Sequence, residues 1–148
     1  MPFTHIGVPV ERHAQLQRIG LDLGGLGNAE VIAALIRRYA HECGRVAAPI
    51  PGVDLRRFHD GLLIGLYKRT LSDMTGLPWT EARALADAIG AIVTGGPASS
   101  GAGWSVGRRG SGYTLKIGEN VKVWTRDILE DFAALVRDLL PEEANEAA

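Results

Sequence analysis

A chain of 148 residues, 46% of them apolar and 22% charged, has the composition of a globular protein and not of a disordered or fibrous one. Its formal net charge of −1 excludes a general basic field, so contact with nucleic acid would have to come from a local patch. The charge is uneven, with +1 over residues 1–45, +3 over 101–125 and −5 over 126–148.

Residues 4–8 form a short β-prone run that Pro9 breaks. Residues 11–23 follow as a helix with Leu16, Ile19 and Leu23 on one face. Gly24-Gly25-Leu26-Gly27 ends that helix, and Asn28 is placed to cap a second one reaching to Cys43. In it Val31, Ile32, Leu35, Ile36 and Tyr39 recur at three- and four-residue intervals, a face suited to burial. Residues 46–52 carry no charge and two prolines, Pro49 and Pro51, and read as a semi-rigid linker and domain boundary. Asp54 is then placed to cap a helix over 55–75, whose middle, Leu62-Leu63-Ile64-Gly65-Leu66-Tyr67, is apolar almost all round, with Gly61 and Gly65 permitting close helix contact. A further helix over 80–93 carries a stripe of Ala82, Leu85, Ala86, Ile89, Ile92 and Val93.

Residues 95–103 read as a flexible loop, after which the period becomes alternating. Tyr113, Leu115 and Ile117 alternate with Thr114 and Lys116, and Gly118-Glu119-Asn120 turns the chain into 121–124. The result is a β-hairpin, extended by a strand over 105–108. A last helix over 126–140 sets Ile128, Phe132, Leu135, Val136 and Leu139 on one face, ahead of Pro141 and an acidic tail over 141–148. The expected fold is α+β. A β-α-α unit spans residues 1–45, followed by the linker 46–52. Residues 53–140 then form a helical pair, a small antiparallel hairpin or three-stranded sheet, and a C-terminal helix.

The order strand, proline, helix, glycine turn, helix in residues 3–44 resembles the ribbon-helix-helix superfamily of bacterial repressors and antitoxins. Ile6-Gly7-Val8-Pro9-Val10-Glu11, followed by Leu16, resembles its strand-to-helix junction. Asn28-Ala29-Glu30-Val31-Ile32-Ala33-Ala34-Leu35-Ile36-Arg37-Arg38-Tyr39 resembles its second helix, with a cap, an acidic residue, a paired aliphatic and a closing Arg-x-Tyr. The match covers under a third of the chain. It implies a homodimer whose two strands pair antiparallel and enter the DNA major groove. Thr4, Ile6 and Val8 would pack on the helices, and Phe3, His5 and Gly7 would face the bases. Members usually present Arg, Lys, Thr, Gln or Asn there. Here Phe3 offers an apolar contact and only His5 a hydrogen bond, which leaves room for a ribbon that dimerises without binding DNA. The resemblance also places Asn28 at a phosphate, through free backbone N–H groups at the helix start; without DNA it is a plain cap.

Outside that segment, Gly107-Arg108-Arg109-Gly110-Ser111-Gly112 is a basic turn in which Arg108 and Arg109 can meet phosphates or simply be solvated. Trp104, Tyr113 and Trp124 can stack on bases, though aromatics next to strands more often pack in the core. Residues 95–103 lack the Gly-Lys-Ser/Thr ending of a phosphate loop. His5, His13, His41 and His59 are scattered, with His13 and His59 expected on exposed helix faces. The single cysteine, Cys43, is expected as a buried thiol. We therefore expect no enzyme, no catalytic residue, no metal and no cofactor. No run of about 18 apolar residues offers a membrane span, and the start, Met1-Pro2-Phe3-Thr4-His5, does not read as a signal peptide, so a cytoplasmic location is expected. The function expected is a homodimeric DNA-binding transcriptional regulator or antitoxin acting on double-stranded DNA, with residues 53–140 as sensor, oligomerisation or partner-binding domain. The alternative is a non-enzymatic protein-binding adaptor or inhibitor, such as one encoded by a mobile element, that uses the same dimer without specific DNA binding.

Overall fold

The computed structural model describes residues 3–67 and 73–142. These form an α+β chain of four helices and two antiparallel sheets, dividing between Ala48 and Pro49 into two units. The division falls inside the uncharged segment 46–52.

The first unit holds α1 (Val10–Asp22) and α2 (Asn28–Glu42). Pro9 starts α1, its carbonyl accepting from the His13 N–H at 3.1 Å. Gly24 and Gly25, at φ 99° and 90°, take the left-handed turn that ends it, and the N–H groups of Gly25 and Leu26 both donate to the Gly20 carbonyl. Gly20 is buried where α2 packs: a Cβ there would press into the Leu26 carbonyl and the Val31 side chain. At the start of α2 the Val31 N–H donates to the Gly27 carbonyl at 3.0 Å, and no side chain caps the helix. Gly27 is therefore the cap and Asn28 the first helical residue, a correction to the expected role of Asn28.

Three further expectations are not met in this unit. Residues 3–9 carry no regular structure, and among the described residues 3–8 make no backbone hydrogen bond, so the expected strand over 4–8 is absent from the single chain. A β ladder needs a partner strand, and no described segment supplies one. Cys43, the C-terminal cap of α2, is exposed and not a buried thiol. The α2 face expected to be buried is also largely open: of Val31, Ile32, Leu35, Ile36 and Tyr39, only Val31 is covered.

The second unit begins with β1 (Asp54–Phe58), β2 (Gly61–Gly65) and β3 (Thr75–Pro78), paired in that order. The helix expected over 55–75 is thus replaced by strands; residues 68–72 of that range lie outside the described residues. A short, wholly apolar run between turn residues suits a buried strand as well as a helix, and periodicity cannot separate the two. Here Leu62, Ile64 and Leu66 are buried, and the two-residue turn His59-Asp60 reverses the chain. Gly61 serves strand packing, because a Cβ would collide with the Leu77 carbonyl of β3. Asp54 caps nothing. It lies in β1 and pairs with Arg56 at 2.9 Å.

The helix expected over 80–93 is α3 (Trp79–Val93), and all six residues of its stripe are buried. Beyond it lie β4 (Ser99–Gly101), β5 (Trp104–Arg109), β6 (Gly112–Ile117) and β7 (Asn120–Trp124), a four-stranded meander. Part of the expected loop 95–103 is therefore an edge strand, with Ala102-Gly103 turning between the pair Gly101 and Trp104. In α4 (Arg126–Leu139) the buried side chains are Leu129, Phe132, Ala133 and Val136. Ile128 is exposed and Leu135 and Leu139 are half-buried, so the stripe is turned by about one position from the expected one.

Gly61→Ala is expected to lower stability by about 1–3 kcal/mol through overpacking against β3. Gly7→Ala, where nothing lies within 4 Å of the added carbon, should change it by less than about 0.5 kcal/mol. Guanidinium melts of the two variants test the contrast.

Candidate nucleic-acid interface

The five residues singled out for nucleic acid fall into two groups, one in each unit. Phe3 and His5 lie in the exposed segment 3–9, Phe3 at 76% exposure. Asn28, exposed at the start of α2, reaches across to α1: its amide nitrogen donates to His13 Nε2 at 2.9 Å. That ring nitrogen accepts only in the neutral imidazole with its proton on Nδ1. Asn28 is therefore engaged between the two helices.

Arg108 and Arg109 do not share a turn. β5 continues through both, leaving only Gly110-Ser111 as the turn, and strand alternation sends the two side chains to opposite faces. Arg108 stands opposite Tyr113, its guanidinium 5.9 Å from the ring centroid, and donates through Nη2 to the Ile92 carbonyl at 3.1 Å. That carbonyl belongs to the last turn of α3, where it also accepts from the Gly95 N–H at 3.2 Å and where a cation is favoured. Arg108 is thus a helix-end contact. Arg109 remains exposed on the face shared with Ser105, Thr114 and Lys116.

The other hairpin cation, Lys122, lies on the opposite face, its ammonium 3.8 Å from the Tyr67 ring centroid. Tyr67 in turn donates its hydroxyl to the Val121 carbonyl at 2.7 Å. The aromatics are equally engaged. Trp104 and Tyr113 are buried, the Trp104 Nε1–H donates to Glu81 Oε2 at 2.7 Å, and Trp124 packs on Phe132 with centroids 5.5 Å apart. Base stacking on Trp104 or Tyr113 is ruled out by their burial.

His59 lies in the β1–β2 turn and not on a helix, with Nε2 2.9 Å from Asp60. Hydrogen bonds donated to half-buried carboxylates hold two exposed guanidinium groups above their ordinary pKa: Arg56 donates to Asp54 and Arg126 to Glu130. Among the described residues no group of three His, Cys, Asp or Glu side chains could hold a metal ion. Among them, too, no helix is long and apolar enough to cross a membrane.

Sequence reading missed part of the exposed apolar surface of the first unit. Val10 and Leu21, off the stripe of Leu16, Ile19 and Leu23, are 80% and 71% exposed. Their signal was present as two apolar residues on the polar side of α1. Fold and surface together define a two-unit α+β protein with an uncovered apolar helix pair in one unit and a sheet with a mildly basic outer face in the other. No family model, no curated protein and no solved structure matches the chain.

Arg108→Ala is expected to cost about 0.5–1.5 kcal/mol of stability, the usual worth of an intramolecular hydrogen bond. Arg109→Ala should cost less than about 0.5 kcal/mol. Equal effects in thermal melts would show that the Arg108 bond to the Ile92 carbonyl contributes nothing to stability.

Proposed function

We propose that the chain is a homodimeric, cytoplasmic DNA-binding regulator or antitoxin of the ribbon-helix-helix type, acting through residues 3–44. Apolar exposure carries this reading. Eleven of the fourteen exposed large apolar side chains among the described residues precede residue 49, and Val31 is the only large aliphatic there that is buried. A unit this small cannot bury a sufficient core alone, and an apolar surface of this extent marks association.

A second copy satisfies both needs. Across a two-fold axis the same face of α2 meets itself, so Ile32, Leu35, Ile36 and Tyr39 cover their own equivalents. The segment 4–8, unpaired in its own chain, gains an antiparallel partner. His5 then supplies the hydrogen bond to a base edge, Phe3 an apolar contact, and the start of α2 at Asn28 a phosphate contact. Arg109 is left as a separate basic position.

Two observations favour a second reading, an adaptor or inhibitor that keeps the dimer and binds protein. Arg108 is engaged with Ile92, and Phe3 and Gly7 offer no side-chain hydrogen bond to bases.

Sedimentation equilibrium is expected to give a dimer, and Leu35→Asp with Tyr39→Asp a monomer. The dimer should retard a duplex from its own upstream region more than a scrambled one, with log affinity falling linearly against log salt. His5→Ala should weaken that binding by about 1 kcal/mol. A dimer indifferent to any duplex at physiological salt selects the adaptor, and a monomeric wild-type chain overturns both readings.

A further inference from the structure

We propose that the second unit carries a peptide-binding groove between β1 and α4, which takes an extended segment bearing alternate aliphatic side chains and a positive charge. This site is independent of the dimer proposed above. β1 is an edge strand: β2 pairs with one side of it and, among the described residues, no strand pairs with the other. The two-residue turn decides which groups face that open side. Phe58 and Gly61 close the hairpin as a hydrogen-bonded pair. Arg56 with Leu63 and Asp54 with Gly65 follow by the alternation of an antiparallel ladder. The backbone N–H and C=O groups of Leu55 and Arg57 therefore point outward, and the register of β1 shows no bulge to blunt the edge.

Beside this edge lies a cavity of about 300 Å³, lined on the β1 side by Ile50 and Leu55 and on the α4 side by Leu135 and Leu139, with Asp54 and Asp138 also contributing. Ile50, Leu55 and Leu139 pack against the core and give the cavity a fixed floor. Leu55 is on the same side of the sheet as its ladder partner, the buried Ile64. Open backbone groups and an apolar recess are thus adjacent, the pairing that strand addition uses: main-chain bonds for affinity and alternate side chains for selection. Such a volume admits side chains and no folded domain.

Charge selects the occupant further. Asp54 is neutralised in part by Arg56, 2.9 Å away, whereas Asp138 is exposed and has no ion pair among the described residues. It stands in the last turn of α4, where the helix end is itself negative, so a Lys or Arg of the peptide is favoured there.

The test is a titration of the ¹⁵N-labelled full chain with acetyl-Lys-Val-Thr-Leu-Lys-amide, followed by amide shifts. Saturable shifts are expected at Leu55, Arg57 and Asp138. Two further peptides, N-methylated on alternate residues in the two possible phases, should differ, one losing affinity by about tenfold and the other keeping it. Asp138→Lys, a change at an exposed position, should weaken the parent peptide several-fold. Absence of saturable shifts overturns the proposal, as does equal affinity of both methylated peptides, which would mean side-chain capture without strand pairing. The same residues shifting on dilution of the protein alone would also overturn it, since the groove would then belong to a second copy of the chain.

Discussion

One face of α3 has to leave water, and the rest of the second unit is arranged to let it. Leu85, Ile89 and Ile92 show no exposure, and Ala82 and Ala86 keep the helix close to the strands beside it. The same continuous cluster takes in Leu62, Ile64 and Leu77 from the first sheet, Val106, Leu115 and Ile117 from the second, and Leu129, Phe132 and Val136 from α4. Each fully buried side chain of this size contributes about 1.5–3 kcal/mol. Polar contacts then hold the two ends of the helix: Trp104 reaches Glu81 in the first turn, and Arg108 reaches the Ile92 carbonyl in the last. One of the two arginines that the sequence offered to a phosphate is therefore part of the support for the core.

The first unit meets the same requirement without the means to satisfy it. α1 and α2 close on one another at Gly20 and Val31, but Ile32, Leu35, Ile36 and Tyr39 lie in water in the single chain. The helices have the right period and length, and what is missing is a surface to receive them. This shortfall, more than the motif match, gives the dimeric reading its physical basis. It also explains why the adaptor reading keeps the same dimer, since both depend on covering one face.

Legibility in the sequence followed how many independent signals agreed. α3 was readable to within a residue because its stripe, its length and its flanking turns all pointed to a helix. β6 and β7 were readable from alternation across Gly118-Glu119. The run Leu62-Leu63-Ile64-Gly65-Leu66 carried no period at all, so a buried strand looked like a central helix. β4 is Ser-Ser-Gly and has no apolar alternation; it exists because β5 offers a free edge. In α4, Ile128 and Leu129 are neighbours, either could have led the stripe, and the core took Leu129. At the candidate interface, Phe3 and His5 are exposed, but so are Thr4, Ile6 and Val8, which the resemblance placed against the helices, so the single chain shows no inward and outward face in this segment. Asn28 and Arg108 have partners that spacing does not show: the cap falls one residue earlier at α2, and strand alternation in β5 puts Arg108 on the face of Tyr113, within reach of the end of α3.

The tight turns of the second unit bear on how it folds. His59-Asp60, Ala102-Gly103, Gly110-Ser111 and Gly118-Glu119 each join strands that are neighbours in both chain and sheet. Loops this short cost little closure entropy, and contacts close in sequence form early. The four-stranded meander can therefore zip up hairpin by hairpin as the polypeptide leaves the ribosome. What the turns do not supply are the contacts distant in sequence, among them Tyr67 on Val121 and α4 on α3, a helix synthesised some thirty residues before it.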